Sequence, residues 1–131
     1  MRWLWFLILF AGASSVAAQE EEPAAFYVFD LESLSEERAE SGRSYNEFLR
    51  VASMFAGIYE LEPGEFDRQT PHDRDELYVV SSGIAKLDVG GEMIDIKAGS
   101  IIYVARDVEH RFVEIEEAIR VLVFFAENLD R

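Results

Sequence analysis

Short apolar runs alternate with turn residues from Tyr45 to the end of the chain. The runs are rich in β-branched and aromatic residues, which suit the pleated, half-buried surface of a sheet. Strands at this spacing, with turn residues between them, predict an all-β sandwich or barrel. The predicted strands are residues 48–51, 54–61, 76–81, 84–89, 92–96, 100–104, 110–115 and 119–126.

Turn and cap signals divide these segments. Ser82-Gly83 predicts a turn between two of the strands, and Gly90-Gly91 predicts a two-residue hairpin loop. Ahead of the strands, residues 31–43 are rich in Ser, Glu and Arg. Ser33, with Glu36 three residues later, predicts the cap of one short helix there.

The first eighteen residues have the pattern of an export signal. Arg2 is followed by the apolar run 3–11, and small residues at 16–18 precede Gln19. The apolar run is shorter than the about 20 residues of a membrane span. We therefore expect a cleaved signal and an exported protein, periplasmic or secreted; an uncleaved N-terminal anchor is the alternative. The expected plan is a signal at 1–18, an acidic leader and short N-terminal segment at 19–44, and a barrel at 45–131.

The net charge limits the expected binding partners, and the cysteine content limits how the fold can be stabilised. The whole chain has a net charge of -14, and removing the signal with its single Arg2 makes it -15. Such an acidic surface should repel nucleic acid and anionic membrane, so we expect neither as a partner after signal cleavage. The chain has no cysteine, so a packed core must stabilise it without disulfides.

Two histidines are the candidate chemistry. His72 and His110 are the only histidines in the chain. If residues 70–80 are extended, His72 and Glu76 point to the same face, and a facing strand would bring His110 to them. Two imidazoles and one carboxylate can hold iron, manganese, nickel or zinc and leave positions open for water or a small-molecule substrate. The alternative for each histidine is an ordinary hydrogen bond at a barrel mouth.

Residues 64–83 and 99–114 resemble the two motifs of the cupin superfamily. The first family motif is G-x5-H-x-H-x3-E-x6-G, and its positions here are Gly64, Thr70, His72, Glu76 and Gly83. The second is G-x5-P-x-G-x2-H-x3-N, and its positions here are Gly99, Ala105, Asp107, His110 and Glu114. The spacing fits throughout, but Thr70 stands where the family has its first histidine.

The resemblance covers roughly residues 45–126 and implies a double-stranded β-helix, a jelly roll of two antiparallel sheets. It also implies His72, Glu76 and His110 as metal ligands, with the fourth family ligand missing at Thr70. Two outcomes stay open: a three-ligand divalent metal site with a wider opening, or a barrel without metal that binds an organic ligand directly. Without metal, Glu76 could serve acid–base chemistry or pair with Arg74 or Arg111.

Other residues in the two motifs are expected to have structural roles. We expect positive φ at Gly64, Gly83 and Gly99, and a left-handed turn at Asp107. We expect Asp73 and Asp75 to be solvated charges. Tyr78 and Phe112 should line the barrel interior, where packing is favoured over contact with a substrate.

Three functions compete: a metal-dependent oxygenase, isomerase or lyase acting on a small organic molecule, a non-enzymatic binding module, and a structural barrel. Fold alone does not choose between them. The final strand, 119–126, is mostly apolar on both faces, so it is either central or covered. In cupins a partner subunit often provides such cover, so a homodimer is one expectation.

Overall fold

The computed structural model describes residues 24–127, which leaves the predicted export signal outside the described residues. Within this range one helix is followed by six strands. The elements are α1 Leu31–Ser41, β1 Tyr45–Val51, β2 Met54–Leu61, β3 Glu76–Val89, β4 Glu92–Lys97, β5 Ile101–Val104 and β6 His110–Ala126. No helix in residues 24–127 is long and apolar enough to cross a bilayer.

Two long strands replace four of the predicted shorter ones. β3 runs without interruption through Ser82-Gly83, so the predicted turn at these residues was wrong. β6 likewise joins the predicted strands 110–115 and 119–126. Gly83 does have the expected positive φ, 98°, but it lies where the β3–β6 register shifts, at a bulge rather than a turn. A glycine at a bulge and a glycine in a turn give the same sequence signal.

The bulges let both long strands pass from one layer of the fold to the other. The first half of β3, residues 76–80, pairs with β5 and with residues 121–125 of β6. The second half, residues 84–89, pairs with β4 and with residues 110–117 of β6. β2 adds to the other side of β6, and β1 adds to β2, all antiparallel. The result is the all-β jelly roll that the sequence predicted.

The core lies between the two layers. Tyr78 of β3 and Tyr59 of β2 both contact the ring of Phe112, with ring centroids 5.2 and 6.0 Å apart. Tyr78 and Phe112 are each 1% exposed, so their predicted place in the barrel interior is confirmed. The buried cluster also contains Leu61, Val80, Ala85, Leu87, Ile96, Val104, Ile115, Ile119, Val121 and Val123.

The short helix forms, but its cap is not the predicted one. Asp30 is the N-cap, and its carboxylate accepts hydrogen bonds from the backbone N and the Oγ of Ser33, each at 2.9 Å. Ser33 is thus the capped residue rather than the cap, because Asp at this position binds the same free amides as Ser. Glu60 of β2 then joins the helix to the sheet, since its carboxylate accepts hydrogen bonds from Ser35 and Arg38 of α1.

Candidate metal site

The fold brings His72, Glu76 and His110 together at one end of the barrel, with a ligand atom from each within 4.8 Å of the others. Glu76 is the first residue of β3 and His110 is the first of β6. His72 lies in the loop before β3 rather than on an extended strand. The two strands start in opposite layers of the sandwich, so their first residues meet across the barrel mouth.

Strand alternation places Glu76 inside the barrel. Glu76, Tyr78 and Val80 are all buried, whereas Leu77 between them is 38% exposed. For residues 76–80, which form the start of β3, the predicted inward-facing side chains are therefore confirmed. Glu76 itself is 2% exposed, an uncommon environment for a carboxylate without a charged partner.

His110 is fixed by contacts at both ring nitrogens. Nδ1 lies 2.8 Å from the carbonyl oxygen of Val108, and because a carbonyl only accepts, Nδ1 carries a proton. Nε2 lies 2.7 Å from Glu76 Oε1. Burial lowers the pKa of His110, but the hydrogen bonds to Glu76 and Val108 together outweigh it and raise the pKa above its usual value. A His–carbonyl contact of this kind is the usual way to aim Nε2 at a metal.

The second oxygen of Glu76 is the clearest sign of a cation site. Glu76 Oε2 is buried and has no hydrogen-bond partner among the described residues. It faces His72 Nε2 at 3.9 Å, which is too far for a hydrogen bond. A buried acceptor without a partner is unfavourable by about 1–3 kcal/mol, so a cation between the two groups would remove a real penalty. The residues present therefore fit a divalent metal.

His72 is held in place although it lies on a loop. Its carbonyl oxygen accepts a 2.7 Å hydrogen bond from the backbone N of Asp107. Asp107 has φ 64°, so the predicted left-handed turn is confirmed, and this turn connects the two motif loops. The His72 ring meets Phe125 edge-on at 5.0 Å, and its side chain remains 33% exposed. His72 is thus the most accessible of the three candidate ligands.

The residues proposed as other partners of Glu76 point elsewhere. Arg74 pairs with Glu127 and Asp73, and the Arg111 guanidinium lies over the Phe66 ring. Neither arginine competes with a cation for the buried carboxylate.

Thr70 and Asp75 also belong to the segment of the first motif. Thr70, at the position of the missing family histidine, is exposed. Asp75 is more than a solvated charge, because its Oδ1 accepts a hydrogen bond from the backbone N of Arg106 at 3.0 Å.

A buried polar network behind His110 was missed by the sequence reasoning. Asp67 is 1% exposed and accepts hydrogen bonds from Tyr59 Oη, from the backbone N of Phe112 and from Gln69. Gln69 in turn accepts from Tyr78 Oη at 2.9 Å. In the sequence, Asp67 is one acid among many in a loop, and nothing local marks it as buried.

An apolar pocket of about 620 Å³ adjoins the three candidate ligands. His72 and Tyr78 belong to its wall, so the pocket reaches the metal site directly. The wall combines aromatic and aliphatic residues with several polar and charged ones, as is common for small-molecule sites. The aromatic residues are Tyr45, Phe55, Tyr59, Phe66, Tyr78 and Phe125, and the polar ones include Arg68 and Gln69.

This chain is similar to solved structures of the same fold, and a protein-family model matches it. The solved structures that this chain resembles include cupins from Bacteroides fragilis and Shewanella frigidimarina at 19% and 15% identity, a likeness that establishes the fold alone. KdgF from Halomonas sp. is 17% identical with a TM-score of 0.58, over 66% of this chain and 79% of that one. The DMSP lyase DddQ from Ruegeria pomeroyi is 17% identical with a TM-score of 0.56, over 62% of this chain and 42% of that one.

Residues 57–125 match the family described as "Cupin domain", so the chain belongs to the cupin family. The matched region contains all three candidate ligands. A protein of Streptomyces coelicolor, named as uncharacterized, is 44% identical over 98 residues, which is 75% of this chain and 93% of that protein.

Proposed function

We propose that this cupin binds one divalent metal ion through His72, Glu76 and His110, and that it binds and transforms a small organic molecule in the adjoining pocket. The observation that carries the proposal is the buried Glu76 carboxylate. One of its oxygens meets His110 at 2.7 Å, and the other has no partner and faces His72. A bound ion would supply Lewis-acid or redox chemistry to an oxygen donor of the substrate.

The contact with Val108 orients His110, and the pocket leaves the site open on the side of His72. The hydrogen bond to Val108 leaves the His110 Nε2 lone pair for a metal, and burial shields this nitrogen from water. His72 is partly exposed and lines the pocket, so an incoming ligand approaches from its side. Phe125 packs against the His72 ring and limits how far it can turn.

The pocket composition suggests the substrate class. The aromatic part of the wall favours a small molecule with an apolar or aromatic body, and a metal at the inner end of the pocket would suit an oxygen donor on that molecule. Among the proteins of similar fold, two solved structures are described as DMSP lyases, which supports elimination from a small molecule as the first reaction class to test.

A hydroxamate probe tests the proposal. Calorimetry should show benzohydroxamate binding to the zinc-loaded protein and much weaker binding to the metal-free protein, because the hydroxamate oxygens need the ion. Acetohydroxamate, which lacks the ring, should bind more weakly than benzohydroxamate if the aromatic wall contributes. Equal binding with and without zinc would reject a metal-centred ligand site and favour a barrel that binds organic ligands directly.

We also propose export of the protein, on the basis of Arg2, the apolar run 3–11 and the small residues at 16–18. Intact mass of the protein recovered from the periplasm or medium should correspond to a chain that begins at Gln19. A product that retains residues 1–18 would instead indicate an uncleaved anchor.

We also propose a homodimer, because exposed apolar residues lie on the outer surface of the sheet. Ile101 and Tyr103 of β5 are 67% and 61% exposed, and they pair with Val79 and Leu77 of β3. Together they form an apolar strip on the outer face, which monomeric proteins rarely leave open. A second copy of this chain is the proposed cover.

A further inference from the structure

The hydroxyl of Tyr45, the first residue of β1, has no use within the fold itself. Its oxygen is buried and has no hydrogen-bond partner among residues 24–127. Buried polar groups in folded proteins are normally hydrogen-bonded, so an exception needs an explanation. Tyr59 and Tyr78, the other tyrosines of the pocket wall, both donate to side chains of the protein. Among the described residues of this wall, Tyr45 is thus the tyrosine whose hydroxyl remains available to a bound molecule.

A glycine in the neighbouring strand gives the Tyr45 ring its place inside the barrel. Phe55, Gly57 and Tyr59 share the inner face of β2 by strand alternation, and both aromatic side chains of this face belong to the pocket wall. A Cβ added at Gly57 would collide with the Tyr45 ring and lie 2.5 Å from its hydroxyl oxygen. The hydroxyl therefore lies over Gly57, on the inner face of the sheet beside the pocket.

The hydroxyl also lies within electrostatic reach of the candidate metal site. Burial raises the pKa of Tyr45 to about 12, and the negative charges of Glu47 and Glu76 contribute to the rise. Because Glu76 is a candidate metal ligand, its influence indicates that Tyr45 and the site occupy the same region of the barrel interior. Tyr45 stays protonated at neutral pH and can donate a hydrogen bond there.

We propose that Tyr45 is a specificity-determining residue of the pocket, and that its hydroxyl donates a hydrogen bond to an oxygen of the bound small molecule. This rests on the proposed function, in which the ion holds another oxygen of the same molecule. The ligand is then a small molecule whose head group carries two oxygens, such as a carboxylate or a hydroxamate, on an apolar or aromatic body. Tyr45 lies outside both sequence motifs, so the motif spacing does not indicate this role.

Calorimetry with benzohydroxamate and the zinc-loaded protein tests the proposal. Tyr45→Phe removes only the hydroxyl oxygen, and its affinity for benzohydroxamate should fall about tenfold, as for the loss of one hydrogen bond. Its zinc affinity, measured by competition with a chelator, should equal that of the parent because Tyr45 does not bind the ion. Tyr59→Phe is the matched control and should bind benzohydroxamate like the parent, since the Tyr59 hydroxyl donates to Asp67.

The stability of the metal-free variants separates a ligand contact from a structural one. Tyr45→Phe should unfold at the same urea concentration as the parent or a higher one, because the hydroxyl that it removes has no partner in the described fold. Tyr59→Phe should unfold at a lower urea concentration, since Asp67 loses a donor. A loss in Tyr45→Phe as large as that in Tyr59→Phe would show a structural role for the Tyr45 hydroxyl and overturn the proposal.

Gly57→Ala keeps the hydroxyl but displaces it, and so tests the same role if Tyr45→Phe does not fold. The added methyl group would meet the far end of the Tyr45 side chain, which can turn away. Benzohydroxamate affinity should fall in this variant too. Parent-like affinity in folded Tyr45→Phe or Gly57→Ala overturns the role of Tyr45 and leaves the proposed function standing. A parent that binds benzohydroxamate equally with and without zinc overturns both.

Discussion

At the scale of single residues, Glu76 has the most demanding environment in the site. It is 2% exposed, one oxygen meets His110, and the other has no protein partner among the described residues. A carboxylate in this position is stable when a cation shares it, because burial strongly disfavours an uncompensated charge. The environment of Glu76 therefore supports the proposal that an ion binds between the three candidate ligands.

Glu76→Gln is expected to weaken zinc binding by at least the about 10–100-fold seen when a supporting group of a metal site is lost. The amide keeps the shape of the side chain but removes the negative charge that balances the ion. Competition with a chelator of known affinity measures the change. Glu114→Gln, at an exposed side chain in the second motif, is the matched control and should bind zinc like the parent. Equal losses in both variants would show that the effect comes from overall charge.

Gly83→Ala is expected to destabilise the protein by about 3 kcal/mol or more. Gly83 has φ 98°, and an added Cβ would lie 2.2 Å from the carbonyl oxygen of Ala118, a backbone atom that cannot move aside. Urea unfolding measures the loss.

Gly64→Ala is the control for Gly83→Ala. Gly64 also has a positive φ, 84°, but nothing lies within 4 Å of its added Cβ. It should lose only the about 1–2 kcal/mol of the left-handed backbone. Equal stability of the two variants would contradict the close approach of Gly83 to the backbone of Ala118.

At the scale of elements, helix α1 is attached to the sheet by a charged cluster around Glu60. Arg38 of α1 and Arg120 of β6 both donate to this carboxylate, and Ser35 adds a third donor. Leu34 is the buried residue of the helix. With little apolar contact, the polar cluster is the main attachment of α1.

The cluster predicts a pH dependence of stability. Burial raises the pKa of Glu60, but the hydrogen bonds from Ser35 and Arg120 and the charge of Arg38 lower it more, so the folded-state pKa lies below the ordinary glutamate value of 4.5. The unfolded chain thus binds a proton more readily, and this contribution to stability is present above pH 4.5 and is lost as the pH falls through the folded pKa.

Glu60→Gln should therefore be less stable than the parent at neutral pH, and the difference should shrink on acidification below 4.5. Thermal unfolding across about pH 3–7, which spans this transition, checks the prediction. Glu32→Gln, which contacts Arg120 from an exposed position, should change stability less. A Glu60→Gln deficit that does not vary with pH would contradict the assigned pKa direction.

The sequence predicted the strands and the three candidate ligands far better than it predicted the buried polar groups and the bulge in β3. The resemblance to the two cupin motifs implied His72, Glu76 and His110 as a set, and the structure brings these residues together. The burial of Asp67 and the contact of Tyr78 with His110 arise from packing between distant segments, and local sequence does not record such packing. The continuous β3 was missed because a glycine bulge looks like a turn.

At the scale of the whole molecule, the outer apolar strip predicts self-association. Ile101→Glu should convert the proposed dimer into a monomer, since a charge in the centre of an apolar contact is strongly unfavourable. Size-exclusion chromatography with light scattering gives the mass. Met93→Glu, at another exposed apolar residue on β4, should remain dimeric. A parent that is already monomeric at all concentrations would contradict the proposed dimer.

We propose above that the barrel holds one metal ion through the side chains of His72, Glu76 and His110. The most direct test is elemental analysis of the protein purified without a metal-binding tag, beside His110→Ala treated in the same way. We expect one divalent metal per chain in the parent and little in His110→Ala. A parent that contains no metal and takes up none when incubated with iron, manganese, nickel or zinc would contradict it.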